Sequence, residues 1–208
     1  MAFLELLLIL AGIFLSQLLG GVLTYVFTNR FRKNLRLIVL IESALMLGIA
    51  VILLIQGLSI MLYSIFGFLI GIFLFSILNR ILPHKHVSKV EEINNLTFSA
   101  MCFHEIPEGL AFGASYSINP SLGLLVAVMT MLHTIPESSV ISIFHFLKKK
   151  YSTGFKAILI TSLLYSISSL VSYFLLIDIP VVIHSFFMTF AAGLISFIIY
   201  EELVLIKK

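Results

Sequence analysis

The sequence predicts an all-α integral membrane protein of seven transmembrane helices, and three observations carry that reading. The 208 residues are 60% hydrophobic and 11% charged, against roughly a quarter charged in a soluble domain. Mean hydropathy is +1.15. The apolar residues fall in long runs broken by charge clusters and turn residues, and at about 20 residues per span seven spans use roughly 140 positions. No room is left for a separate soluble domain. Residues 1–208 therefore read as a single transmembrane helical domain in the lipid bilayer, with the cell membrane as the expected location.

Span one, near 2–28, opens on Met1-Ala2-Phe3-Leu4-Glu5 without a basic stretch, and its apolar run is too long for a cleavable signal, so it is expected to stay as a helix. Span two, near 36–55, follows Arg30, Arg32, Lys33 and Arg36. Its Glu42 lies about 9 Å along the helix from Arg36 and is expected to snorkel or pair at the inner interface. Span three, near 58–82, places Gly67 and Gly71 four residues apart, as span four, near 93–115, places Gly109 and Gly113; both pairs signal close helix packing. Cys102, the single cysteine, cannot form an intramolecular disulfide and reads as packing. Span five, near 121–147, ends with His145 at the interface beside Lys148. Span six, near 155–176, carries a stripe of Ser162, Ser166 and Ser169 that either bonds to neighbouring helices or lines a wet path. Span seven, near 180–206, ends in Glu201 and Glu202 before Lys207 and Lys208.

Orientation follows from the basic residues. All 13 lysines and arginines lie after spans one, three, five and seven, and the connections near 56, 116–120 and 178 contain none. The positive-inside rule puts the N-terminus outside and, with an odd number of spans, the C-terminus in the cytoplasm. The net charge of +3 and pI near 9.0 thus reflect topology rather than nucleic-acid binding.

Ionisable residues deep in a membrane cost about 2.5–3.5 kcal/mol each on insertion scales and mark function. Two clusters stand near the middle of their spans: His104-Glu105-Ile106-Pro107-Glu108-Gly109 in the fourth and His133-Thr134-Ile135-Pro136-Glu137-Ser138 in the fifth. The shared pattern is His-x-Ile-Pro-Glu. A spacing of four stacks His104 over Glu108 and His133 over Glu137 on one face of each helix. If the faces meet, two imidazoles and two carboxylates form a set suited to zinc or another divalent first-row metal. A divalent cation also balances two carboxylates in a low-dielectric interior. Pro107 and Pro136 free the carbonyls of Phe103 and Leu132 and are expected to kink their helices. Glu105, three residues from Glu108, adds a third carboxylate that reaches an adjoining second site, with Thr134 at the matching place as a weak ligand.

These stretches resemble the ZIP (Zrt/Irt-like) family of divalent metal transporters, in its bacterial and archaeal branch. His104 to Ala111 and the segment around His133 look like the family's paired metal-binding helices four and five, and Ala191 to Leu203 looks like its seventh. The resemblance implies an eight-helix, often dimeric protein that moves zinc, iron, manganese or related ions into the cytosol between helices four and five; cadmium belongs among the expected cargoes. By position, His104, Glu108, His133 and Glu137 would be the primary ligands. Glu105 stands where the family often has asparagine, and Thr134 where asparagine or aspartate is common. Tyr165 and Ser166 occupy the region where this branch often carries a glutamate that reaches the second metal. His84 and His86 form a minimal version of a histidine-rich loop, and the eighth helix is not represented in this sequence. Glu201 and Glu202 are either an interfacial pair or part of the metal exit, and Asp178 with His184 is a possible outer pair on the ion path.

The resulting expectation is a transporter rather than an enzyme. Its rival is an intramembrane zinc metallopeptidase, in which His104-Glu105-x-x-Glu108 would act as a zincin-like helix with Glu105 as general base. The proline inside the motif, and Thr134 at the repeated position, oppose that reading. A homologue that binds metal without transporting it is the third possibility.

Overall fold

A computed structural model describes residues 2–58, 61–81, 90–176 and 179–207. Among them the regular structure is entirely helical: α1 (Ala2–Val26), α2 (Thr28–Lys33), α3 (Leu35–Gly57), α4 (Met61–Ile81), α5 (Val90–Ile118), α6 (Pro120–Leu147), α7 (Tyr151–Leu176) and α8 (Val181–Lys207). The long helices fall on the seven apolar segments of the sequence, and α2 is the addition. Phe27 and Asn34 leave helical backbone with φ of −112° and −110°, isolating a basic stretch of less than two turns. Such a stretch has no apolar periodicity by which to recognise it.

Among the described residues five helices are long and apolar enough to cross a membrane: Phe3–Val26, Leu35–Gly57, Pro120–Leu147, Tyr151–Leu176 and Val181–Glu201. The described side chains of α4 include the apolar stretch Leu62–Ile77. α5 carries His104, Glu105 and Glu108 in the middle of its apolar run. Large apolar side chains such as Leu8, Leu15, Phe73 and Leu175 point outward, while Gln17, Thr130, Glu137 and Ser169 are buried. A polar interior inside an apolar exterior is the arrangement that lipid demands, and the chain is a multi-pass helical membrane bundle.

α6 sits centrally, packed by α1, α3, α5 and α7; α4 lies mainly on α8, and α5 packs against α6, α7 and α8. The small-residue signals explain two of these contacts. A Cβ at Gly109 or Gly113 would run into the backbone carbonyls of Tyr165 and Ser169, and one at Gly71 into that of Phe190, so α5 on α7 and α4 on α8 approach backbone to backbone. The α5–α6 break is fixed by Asn119, whose side chain accepts from the Ser121 and Leu122 amides at 3.0 and 3.4 Å, with Pro120 opening the helix. At the other end of α6, Lys149 takes φ 59°. The Lys149 and Lys150 amides donate to the Phe146 and His145 carbonyls, a Schellman ending built without glycine.

Glu42 departs from expectation. It is fully buried, because α3 turns that face onto α6 and α8 instead of toward the interface. The serine stripe divides between its two readings. Ser162 bonds across to Gln17 on α1, whereas Ser166 and Ser169 donate back to carbonyls of their own helix.

Candidate metal centre

The two His-x-Ile-Pro-Glu motifs lie on α5 and α6, and both helices continue through their prolines. Four-residue spacing stacks each histidine on its glutamate, and the α5–α6 contact turns the two stacks toward each other. Glu108 occupies the centre. One of its oxygens lies 3.1 Å from His104 Nε2 and the other 3.0 Å from His133 Nε2. Glu137 Oε2 lies 3.7 Å from His133 Nε2. Ligand atoms of His104, Glu108 and His133 all fall within 4.8 Å of one another.

These separations can be compared with a metal's requirements. Zinc held at about 2.0–2.1 Å in a tetrahedron separates its ligand atoms by roughly 3.3–3.4 Å. The His–Glu contacts of 3.0, 3.1 and 3.7 Å are of that order, and the ligand atoms of His104, Glu108 and His133 lie within 4.8 Å of one another, so binding one ion draws these side chains closer together. The donor set points the same way. His104, Glu105, Glu108, His133 and Glu137 are all at most 2% exposed. His133 Nδ1 is buried without a hydrogen-bond partner among the described residues, and the buried carboxyls of Glu105 and Glu137 stand against each other, a state that calls for an ion, a proton or a water. The same groups can hold protons in place of a cation.

No family model matches the chain, and no curated protein does.

The remaining sequence candidates divide by distance from this centre. Glu105 is beside it, with its carboxyl facing Glu137. Tyr165 on α7 is fully buried and stacks on Phe112 at 6.1 Å and 22°, within electrostatic reach of Glu105 and Glu108. Thr134 is buried, but its hydroxyl donates to the Met131 carbonyl of its own helix at 3.3 Å. His184, buried near the start of α8, and Glu201, half-buried near its end, stand apart from the cluster. The side chain of Glu202, and Asp178, His84 and His86, lie outside the described residues.

Gln17 is the participant that the motifs did not reveal. It projects from α1, is 1% exposed, and its Nε2 donates to Glu105 Oε1 at 2.7 Å while its Oε1 accepts from Ser162. The available signal was a lone amide in a mostly apolar 25-residue helix.

Proposed function

We propose that this protein moves divalent metal cations, zinc foremost and iron, manganese or cadmium with it, across the membrane into the cytosol. The observation that carries the reading is the convergence of His104, Glu108 and His133, with Glu137 beside them, from two neighbouring helices into one buried cluster. The alternating basic connections support a seven-span arrangement with the N-terminus outside, and the resemblance of the α5 and α6 motifs to ZIP transporters supports the same cargo.

Transport also requires release. A cluster at most 2% exposed is closed to water on every side, so an ion leaves only when α5 and α6 shift. Features that suit such a movement surround the cluster. Pro107 and Pro136 remove hydrogen bonds to Phe103 and Leu132. A small apolar cavity beside Pro107, walled by Leu110, Ala111, Phe190 and Leu194, separates part of α5 from α8. A site of histidines and carboxylates carried on helices that can shift, rather than a rigid closed cage, suits release of the ion.

The test is uptake of zinc into proteoliposomes, with iron, manganese and cadmium as competitors, by the unsubstituted chain and by the His104→Ala, Glu137→Ala double variant. Uptake that disappears in the variant supports transport through this cluster. Zinc binding without uptake would replace the proposal with a non-transporting metal binder, and absence of both would end the metal reading.

A further inference from the structure

Gln17 belongs to a helix that supplies no metal-ligand candidate, yet both ends of its amide are used. The Ser162 hydroxyl of α7 donates to Gln17 Oε1, and Gln17 Nε2 donates to Glu105 Oε1 of α5 at 2.7 Å. All three side chains are at most 2% exposed. The order of donors and acceptors is directional. The Ser162 hydroxyl donating at one end and the Glu105 oxygen accepting at the other engage both the oxygen and the nitrogen of the amide. Glu105 is therefore held at Oε1 by Gln17, while its carboxyl stands against that of Glu137.

We propose that Gln17 is a positioning residue: through the Ser162–Gln17–Glu105 chain, α1 and α7 fix the stance of the carboxyl that stands against Glu137, and so set how tightly the α5–α6 cluster holds its cation. The physical reason is orientation. A carboxylate free to rotate in a buried space loses that freedom each time an ion is bound, whereas one already held by an amide has little left to lose. Partners that orient ligands from outside change metal affinity by roughly 10–100-fold when removed. An amide in the middle of an apolar helix costs insertion free energy, and the two hydrogen bonds are its return in this fold. The inference rests on the metal reading of the cluster, which the test separates from it.

The experiment is zinc titration of the full chain in detergent, by competition with a chromophoric chelator, for Gln17→Leu, Ser162→Ala, Glu105→Ala, the Gln17→Leu, Glu105→Ala double variant and His133→Ala. Gln17→Leu should weaken zinc binding by about tenfold, with Ser162→Ala a smaller loss in the same direction. In the Glu105→Ala background the effect of Gln17→Leu should shrink to below about twofold, since the amide then has nothing to position. An unchanged affinity in Gln17→Leu, or the same tenfold loss with and without Glu105, overturns the proposal; the second result would mean that Gln17 acts on the fold at large. Should Gln17→Leu fail to elute as a single species on gel filtration, Ser162→Ala, with and without Glu105, decides the matter by the same non-additivity. His133→Ala reports on the underlying reading. If it binds zinc as tightly as the unsubstituted chain, the metal cluster itself is refuted, whereas loss in His133→Ala with no change in Gln17→Leu refutes the Gln17 inference alone.

Discussion

Replacing Glu137 with glutamine exchanges one carboxylate oxygen for an NH2 in a buried space between His133 and Glu105. Its Oε2 lies 3.7 Å from His133 Nε2, and its carboxyl faces that of Glu105. Two effects of opposite sign follow. With zinc, the site loses one anionic ligand of four. Taking structural zinc-finger sites, at roughly 10–16 kcal/mol for four ligands, as the scale, one ligand in four is about 3 kcal/mol, or roughly a hundredfold in Kd. Without metal, a pair of facing carboxyls becomes a carboxyl facing an amide donor, a gain of about 1 kcal/mol. For a chain of this size that raises Tm by roughly 3 °C. Zinc affinity is read by chelator competition, and melting by a thiol-reactive dye. Cys102 is the only thiol in the chain, and the absence of tryptophan makes indole fluorescence silent. A Kd within about threefold of the unsubstituted value, or a lowered metal-free Tm, would refute the placement of Glu137 in the cluster.

Other substitutions and conditions probe different parts of the argument. Thr134→Val should leave zinc affinity within about threefold, because the hydroxyl is committed to the Met131 carbonyl; a larger loss in the same titration would make Thr134 a ligand. Gly113→Ala would set a methyl 2.9 Å from the Ser169 carbonyl carbon and 3.0 Å from the Tyr173 nitrogen. Forcing α5 from α7 should cost about 1–3 kcal/mol and lower Tm by roughly 3–10 °C, and an unchanged melting curve would contradict the backbone contact. Zinc affinity should fall as pH is lowered from about 8 to about 5, since protons compete with the metal for imidazoles and carboxylates; a Kd constant across that range would argue against a His/Glu site.

Much of the fold was legible because a membrane span is written locally. Long apolar runs located all seven long helices, and the Gly67/Gly71 and Gly109/Gly113 pairs marked the faces that meet α8 and α7. The candidate centre was legible for a related reason. Four-residue spacing on a helix is a geometric statement, so His104 with Glu108 and His133 with Glu137 had to share faces before any packing was known. What escaped the sequence was partnership. Glu42, near a basic cluster, read as interfacial and is buried. The serine stripe held residues of two kinds, and only the fold told Ser162 from Ser166. Gln17 carried no motif at all.

The sequence by itself determined an apolar helical chain, the boundaries of its long helices to within a few residues, and two pairs of metal-ligand types stacked on single helix faces. Those properties depend on hydropathy and on the repeat of the α-helix, both of which act over neighbouring residues. The tertiary structure decided that Glu108 bridges both histidines while Glu137 sits to one side, that Thr134 turns back on its own helix, and that α1 reaches the cluster through Gln17. These depend on how each helix is rotated about its axis against the others. Rotation is set by the sum of many contacts between residues distant in sequence, among them the bare backbones of Gly109 and Gly113 against α7, and no single segment of the chain contains it.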